Sequence, residues 1–260
     1  MRRIAGFLAI LCAVARLSAP AAAGDLERSA SATVAAVIDG DTVVLEGGEQ
    51  VRLVGIQAPK LPLGRPDFEP WPLADEAKAA LEALGLGRRV TLFYGGRRVD
   101  RHGRRLAHLY DEDGVWLQGA LLRRGLARVY SFRDNRAHVA EMLALERAAR
   151  DARLGIWDHR FYAVRRAEPP AVPRDRFELV VGRVVAVAAR RTRTYLNFGP
   201  DWRTDFTVSV GAKERRLFER EGFDLAGLEG RTIRVRGWVK WWNGPMIEIT
   251  HPEQIEVLSP

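Results

Sequence analysis

The sequence predicts a mainly β protein with some α structure, in which a five-stranded barrel carrying about three helices precedes a second, smaller β-barrel. Three observations predict this α+β class: short β-prone runs divided by Gly and Asp turns, three segments of helical periodicity, and a proline-rich stretch after residue 162. The 260 residues suit about two domains. With 47% hydrophobic and 28% charged residues, a mainly disordered chain and a polytopic membrane protein are both excluded.

The first predicted domain covers residues 32–162. Its helices show apolar residues at spacings of three and four, and the first begins at Pro72, a residue suited to the first turn of a helix. Asp75 and Glu76 then follow in the turn where the helix dipole favours acids. The predicted strands are 34–38, 42–45, 50–56, 90–94 and 106–110, and the predicted helices are 72–86, 115–124 and 137–154.

Residues 163–175 contain three prolines and no apolar periodicity, which indicates a semi-rigid linker. The β pattern resumes over residues 176–258 and predicts the second barrel. Its predicted strands are 177–188, 194–198, 205–210, 231–239 and 246–249, with one helix at 212–220.

Residues 1–23 have the pattern of a removable export signal: a cationic start, an apolar run of about eleven residues and three consecutive alanines before Gly24. The run is shorter than the ~20 residues that span a bilayer, so we expect no stable membrane span and a periplasmic or secreted destination. The only cysteine, Cys12, lies inside this segment, which excludes disulfides and thiolate chemistry from the mature chain.

The formal net charge is +8, and basic residues cluster between Arg88 and Arg105, where seven arginines stand against one acid, Asp100. Such a cluster favours a polyanionic partner. A general arginine bias in the composition is the alternative explanation for any single arginine outside a motif.

Two carboxylates, Asp39 and Asp41, lie in the turn Val-Ile-Asp-Gly-Asp-Thr that ends the first predicted strand. Two aspartates around a glycine suit either a plain turn or a site for a hard cation. The chain continues with Val-Arg-Leu-Val-Gly-Ile-Gln-Ala-Pro-Lys up to Lys60, and later with Asp-Arg-His-Gly-Arg-Arg-Leu-Ala-His-Leu-Tyr from Asp100. Leu-Arg-Arg-Gly-Leu-Ala-Arg-Val-Tyr and Ala-Arg-Leu-Gly-Ile-Trp, ending at Trp157, complete the series. This ordered set resembles the staphylococcal nuclease (thermonuclease) family over roughly residues 32–160.

The resemblance implies an OB-type barrel and, in active members, calcium-dependent cleavage of DNA and RNA. It places Asp41 on a metal-ligand carboxylate, Asp39 on a carboxylate that supports the metal site, and Arg52 and Arg104 on the two phosphate-binding arginines. Arginine suits that task because its planar fork gives paired hydrogen bonds to phosphate.

Gln57 and Lys60 depart from the family pattern, because they replace a metal-ligand Asp and the Glu that acts as general base or orients water. The amide of Gln57 contributes no negative charge to a bound cation. The ammonium of Lys60 cannot accept a proton and repels a divalent ion nearby. We therefore expect Ca²⁺ to bind weakly or not at all and hydrolysis to be impaired or lost. We also expect a more cationic pocket that binds DNA, RNA or another phosphate-bearing ligand.

Two alternatives stay open at this point. An active nuclease would need a substitute base, and the nearby candidates are Asp67, Glu69, Asp75, Glu76 and His102. A protein-interaction module of the cell envelope would instead leave the arginines merely solvated and show no salt-sensitive affinity for polyanions. On the nucleic-acid hypothesis, Arg101, His102 and Arg105 are further contact candidates.

The second predicted domain resembles OB-fold modules, which bind single strands by stacking bases on aromatic rings beside basic groups. Tyr195, Trp241 and Trp242 are the candidate stacking residues, and at least one of the two adjacent tryptophans should be exposed because neighbouring side chains point in opposite directions. The other aromatic and basic residues that suit this binding mode are Trp202, Arg193, Arg203, Arg236 and Lys240. Phe198, Phe206 and Trp238 are instead expected in the barrel core.

Overall fold

The structure, a computed structural model, describes residues 26–259. It confirms the predicted fold class: a closed five-stranded barrel with helices is followed by a second sheet that curls around its own core. The predicted export signal at 1–23 lies outside the described residues.

The first domain is built on a closed barrel in the order β1-β2-β3-β6-β5. Two further short strands, β4 and β7, pair with each other beside the barrel. The strands are β1 (Glu27–Asp39), β2 (Thr42–Leu45), β3 (Gln50–Leu53), β4 (Gly55–Gln57), β5 (Arg89–Tyr94), β6 (Arg105–Asp111) and β7 (Arg128–Tyr130). The helices are α1 (Ala74–Gly85), α2 (Leu117–Arg123) and α3 (Val139–Asp151).

Strand β1 is longer than the sequence predicts, because its first half pairs with β5 and its second half with β2. Register shifts within both pairings bend the strand from one neighbour to the other. The bend closes the barrel and brings the end of β1, with Asp39 and Asp41, beside β3.

Gly55 separates β3 from β4 with φ +84, a backbone conformation that favours glycine. A Cβ atom at this position would lie 2.4 Å from Met142 Cε, in the core under α3. The turn at Gly55 directs β4 away from the barrel, so Gln57 pairs with Arg128 of β7 and not with the barrel strands.

The second domain is an eight-stranded sheet with the order β10-β11-β12-β14-β13-β9-β8 and with β15 on β13. Phe198, Phe206 and Phe218 are among the side chains buried in its core. Its elements are β8 (Arg165–Arg166), β9 (Phe177–Arg183), β10 (Ala186–Ala189), β11 (Arg193–Asn197), β12 (Thr207–Gly211), α4 (Ala212–Arg220), β13 (Thr232–Trp241), β14 (Pro245–Ile249) and β15 (Ile255–Ser259).

The segment 163–175 is attached to the second domain. Its strand β8 runs parallel to β9, and its residues Ala167 and Val172 are buried in the second core. The chain between the two cores is therefore held by a sheet and by apolar packing.

The two domains meet through a buried ionic cluster. Glu146 on α3 is fully buried and accepts hydrogen bonds from Val129 N and from both Nη atoms of Arg236 on β13, at 2.6–3.0 Å. Arg236 also donates to Glu256 Oε1 at 2.6 Å. Burial opposes the charge on Arg236, but Glu146 and Glu256 raise its pKa above the ordinary value. These contacts lock α3 of the first domain to the second sheet.

Among residues 26–259, no helix has the length and apolar character needed to cross a membrane.

Candidate functional site

The turn after β1 carries two buried carboxylates, Asp39 and Asp41. Asp39 Oδ1 accepts a hydrogen bond from Asp41 N at 3.1 Å, and Asp41 Oδ2 accepts one from Ala58 N at 2.7 Å. Gly40 between them approaches Ala58 and Ala77 so closely that a Cβ would lie 2.7 Å from each, which holds the turn against α1. Two negative charges are thus fixed a few ångströms apart in the interior.

Lys60 supplies the positive charge for this pair. Its Nζ donates to Asp41 Oδ1 and Oδ2 at 2.7 Å each and to Asp39 Oδ2 at 3.1 Å. An ammonium has three hydrogens, so these three bonds use all of them. The charge of Lys60 is therefore balanced by two acids inside the protein, so the positive charge offered to a ligand comes from other residues.

The charges around Asp41 change the acidity of both carboxyls. Burial alone would raise the pKa of Asp41, but Arg52 and Lys60 together lower it to about 2. Burial and the repulsion of Asp41 raise the pKa of Asp39. Asp41 is therefore the more firmly ionised member of the pair.

Gln57 lies at the end of β4, where its side chain is turned to Arg128. Its Oε1 accepts from Arg128 Nε at 3.0 Å and from Nη2 at 2.7 Å. Arg128 is buried among rings and its guanidinium lies 4.8 Å from the ring centroid of Phe177. Burial lowers the pKa of Arg128 to about 10, which leaves it charged at neutral pH. The amide oxygen is occupied by a cation that belongs to the protein.

These residues do not fit a resident calcium ion. Ca²⁺ needs six to eight oxygens at about 2.3–2.6 Å, and the ammonium of Lys60 fills the space between the two carboxylates where such an ion would bind. Within residues 26–259, no group of three or more His, Cys, Asp or Glu side chains is arranged to hold a metal.

Arg52 on β3 forms the wall between Asp41 and an adjoining cleft. Its Nη1 lies 3.0 Å from Asp41 Oδ1 and donates to Leu53 O at 2.9 Å, while Nη2 donates to Ile56 O at 2.7 Å. A guanidinium has five N–H donors, so Nε–H and one Nη2–H remain beyond these contacts. Arg52 is thus fixed in position with donors left for an anion.

Arg104 reaches the same cleft from a tight turn that begins at Asp100. Asp100 Oδ1 accepts from the backbone N–H groups of His102 and Arg104 at 2.8 and 3.0 Å, and its Oδ2 accepts from Arg104 Nε at 2.8 Å. His102 Nε2 accepts from Arg101 Nε at 3.1 Å. The turn therefore brings Arg101, His102 and Arg104 together at the edge of the cleft.

The structure separates the other predicted contacts from this cleft. Arg105 points to the opposite side of β6, where it bonds Tyr94 Oη at 3.1 Å and Glu49. Asp75 and Glu76 occupy the first turn of α1, as their sequence position predicts. Asp67 and Glu69 are exposed and line a different cleft, beside Trp71 and Phe161.

The cleft has a volume of about 420 Å³ and two contrasting walls. Its basic wall holds Arg52, Arg97, Arg101, Arg104 and His102 against the acids Asp100 and Asp134. Its other wall is aromatic: Tyr130 and Phe132 meet edge to face with ring centroids 4.8 Å apart, and Phe132 is exposed. Basic groups beside exposed rings suit a ligand that carries both negative charge and flat apolar groups.

In the second domain the adjacent tryptophans point to different sides. Trp242 is 71% exposed and shares a cleft with Tyr195, whereas Trp241 lies under the guanidinium of Arg174 at 5.0 Å. Phe198 and Phe206 are buried as predicted. The expected core position of Trp238 is wrong, because this side chain is 44% exposed and its Nε1 donates to Tyr130 Oη at 2.8 Å. Arg236 is buried in the ionic cluster, so it is no surface partner for these rings.

Several residues of these sites are not singled out by the sequence. Tyr130 and Phe132 flank Ser131 and therefore lie on the same face of the chain. The sequence does not single them out as an aromatic wall, because β7 has only three residues and is too short to show an alternating pattern. Arg128 gives no signal of its own, since only the folded chain shows that it pairs with Gln57.

Comparisons with known proteins identify the family of the first domain. Residues 50–159 match the family model described as staphylococcal nuclease homologue. An endonuclease of Bacillus subtilis (strain 168) named YncB is 32% identical over 138 residues, which is 52% of this chain and 64% of the relative. A protein of Escherichia coli O157:H7 described as an uncharacterized endonuclease is 32% identical over 127 residues, 48% of this chain and 74% of the relative.

A thermonuclease of Staphylococcus intermedius is 28% identical over 134 residues, 50% of this chain and 78% of the relative. The chain spans less than two thirds of the length of the Bacillus endonuclease. The family model's match ends before the second sheet begins, so it concerns the barrel with Arg52, Arg104 and the two substituted positions. On its barrel architecture and these similarities, the chain belongs to the staphylococcal nuclease homologue family.

Proposed function

We propose that this protein binds nucleic acid through its phosphate groups at the cleft of Arg52 and Arg104, and that metal-dependent hydrolysis of the phosphodiester is lost. The observation that carries the proposal is the position of Lys60, whose ammonium donates to both Asp39 and Asp41. A positive group of the chain itself takes the place that a divalent cation would need.

The loss has two physical parts. Without the metal, the negative charge that grows on the phosphoryl oxygens in the transition state lacks its divalent partner, and Lys60 at the position of the family's Glu accepts no proton from water. A missing general base alone costs about 10²- to 10⁴-fold in rate. Both effects act on the chemical step.

Binding depends on other residues and is retained in this proposal. The wall of the cleft has four arginines against two acids, and Arg52 keeps two N–H donors free of the protein contacts described above. Charge-assisted bonds from guanidinium to phosphate are short and strong. The relatives' names describe endonucleases and a thermonuclease, which supports nucleic acid as the ligand class.

The test measures binding and hydrolysis of one labelled single-stranded DNA by the same protein. We expect salt-dependent binding, no cleavage with Ca²⁺, Mg²⁺ or Mn²⁺, and loss of at least tenfold in affinity in Arg52→Ala/Arg104→Ala. Robust cleavage that disappears in Arg52→Ala would contradict the loss of hydrolysis and favour a substitute base such as His102. Affinity that does not change with salt would favour the protein-interaction alternative.

A second pair of variants tests Lys60 directly. We expect Gln57→Asp/Lys60→Glu to bind Ca²⁺ by calorimetry, since it offers four carboxylates where the native chain offers two. Lys78→Glu makes the same charge change as Lys60→Glu on the exposed face of α1 and should leave Ca²⁺ binding absent. Equal Ca²⁺ binding by the native chain and the double variant would contradict the role of Lys60.

We also propose export of the mature chain, on the pattern of residues 1–23 alone. Fractionation of cells that express the full sequence tests it: a shortened product outside the cytoplasm is expected, and an intracellular product of full length would contradict it.

A further inference from the structure

The outer face of the second sheet carries a cleft of about 260 Å³ that none of the preceding functions uses. The pairing registers place Asn197, Thr207, Met246 and Lys240 side by side across β11, β12, β14 and β13. Side chains of paired residues lie on the same face of a sheet. Asn197, Thr207 and Met246 form the floor of the cleft, and Tyr195, Trp202 and Trp242 stand beside them.

Large aromatic side chains on this face are exposed. Trp202 and Trp242 are 50% and 71% exposed, while Phe198 and Phe206, at the two ends of the loop that carries Trp202, are buried. The core of the domain is therefore filled without the tryptophans, and their exposure is not a packing defect. Exposed rings gathered in a cleft with a few polar groups are typical of a ligand site.

The charges at this cleft favour an anion. Arg190 lines it, and the guanidinium of Arg203 lies 4.4 Å from the ring centroid of Trp202. Among the described residues, neither arginine forms an ion pair with a carboxylate. By contrast, Arg193 and Lys240 on the same face both pair with Glu248, at 2.8 and 3.1 Å. Arg190 and Arg203 are thus the basic groups beside the tryptophans that form no ion pair within residues 26–259, and the acid next to Trp202 is Asp201, which accepts from Arg203 N at 3.1 Å.

Trp238 connects this face to the cleft of the first domain. It lies two residues before Lys240 on β13 and so shares the outer face, and its Nε1 donates to Tyr130 Oη. Tyr130 and Phe132 form the aromatic wall of the first cleft. Aromatic rings therefore lie on both sides of the domain boundary, and on the outer face Lys240 lies between Trp238 and Trp242.

We propose that the cleft of Tyr195, Trp202 and Trp242 binds a base of single-stranded nucleic acid, and that Trp238 guides the same strand from the first cleft to this one. The chemistry that selects the ligand is stacking of a flat base on indole rings, amide hydrogen bonds from Asn197, and a phosphate held by Arg190. The inference rests on the proposed function for the identity of the ligand class, but it assigns a separate site.

The test is fluorescence anisotropy of the full chain with labelled oligothymidylate of two lengths, about 4 and about 20 nucleotides, since OB-type sites cover about 4–16. We expect Trp202→Ala and Trp242→Ala each to weaken binding of the longer strand about tenfold, because stacking is strong for each base. Trp202→Phe should restore part of the affinity. Trp238→Ala should weaken binding of the longer strand more than that of the short one.

Trp241→Ala is the matched control, because that tryptophan is also exposed but lies against Arg174 away from the cleft. Unchanged affinity in Trp202→Ala and Trp242→Ala, with loss in Arg52→Ala/Arg104→Ala, would overturn this inference and leave the proposed function standing. Loss in the tryptophan variants alone would support this site and contradict the first cleft. Binding of a neutral oligosaccharide in preference to the oligonucleotide, abolished by Trp242→Ala, would overturn the assignment to a nucleobase.

Discussion

Lys60 has all three of its ammonium hydrogens bonded to carboxylates that the barrel buries. The sequence identifies this residue as a departure from the family and predicts repulsion of a metal. It does not predict that the ammonium enters the site, because the reach of a lysine side chain depends on the path of the chain after β4. The consequence is an internal ion pair, and ion pairs of this kind cost several kcal/mol when one partner is removed.

Lys60→Gln should destabilise the protein by about 3–5 kcal/mol, because Asp39 and Asp41 then repel each other without a cation between them. We further expect millimolar Ca²⁺ to raise the melting temperature of this variant and not that of the native chain, since a ligand stabilises the state that binds it. Thermal unfolding with and without Ca²⁺ measures both effects. Lys78→Gln is the control and should change neither; a Lys60→Gln protein as stable as the native one would contradict the ion pair.

Gly55→Ala tests the turn that directs Gln57 to Arg128. The substitution adds a Cβ 2.4 Å from Met142 Cε at a residue with φ +84, so we expect a loss of about 2–4 kcal/mol in unfolding free energy. Gly47→Ala, at φ +102 with open space around it, carries the backbone strain alone and should lose about 1–2 kcal/mol. Equal losses in urea unfolding would show that Met142 accommodates the added methyl group.

At the scale of elements, the sequence predicts the type of most strands and helices but misses several boundaries. Residues 27–33 have few β-branched residues, and they form a strand because β5 offers them a partner. Strand β7 has three residues, too few for any periodicity. The predicted run 177–188 is two strands, because β9 pairs with β13 whereas β10 pairs with β11. The boundaries of these strands are set by pairing and packing between residues that are far apart in the sequence.

Helix α3 gives the clearest test at this scale, because its Glu146 carries the contact between the domains. Glu146→Gln removes a charge that bonds Arg236 and leaves that guanidinium buried with one acid fewer. We expect a loss of about 3–5 kcal/mol, measured by urea unfolding. Glu141→Gln on the same helix, where the acid pairs with His138 near the surface, should lose less than about 1 kcal/mol. Similar losses in the two variants would contradict the importance of the buried cluster.

At the scale of the whole molecule, the two domains are joined by contacts that the sequence does not reveal. Ser131 and His251 are 120 positions apart and share a hydrogen bond of 2.7 Å. Arg136 on the first domain binds Glu253 and Glu221 on the second. Nothing in the sequence pairs these residues, because Ser, His, Arg and Glu also occur commonly on exposed surfaces.

The histidine at this interface predicts a dependence of stability on pH. Burial lowers the pKa of His251 to about 4, and Glu253, Arg136, Glu221 and Arg236 lie around it. Because the unfolded chain takes up the proton near pH 6.5 and the folded chain does not, stability falls as the pH decreases from about 6.5 toward 4.

We expect a loss of roughly 2 kcal/mol from His251 between pH 7.5 and 5, and a similar loss from the buried His108, whose pKa is lowered to about 3. Urea unfolding at the two pH values measures the total. His251→Gln should remove about half of the change. A variant with the full pH dependence would show that His251 is not the responsible group.

The segment 163–175 is fixed by β8 and by the packing of Ala167 and Val172. Its rigidity affects how strongly one ligand can bind both domains at once. Two sites on a slack tether sample many separations, so their effective concentration for one ligand varies smoothly with its length. Two sites on rigidly joined domains are separated by one fixed distance. An oligomer too short to bridge that distance gains no affinity from the second site. An oligomer just long enough gains the full affinity of both sites, because the two domains are already aligned.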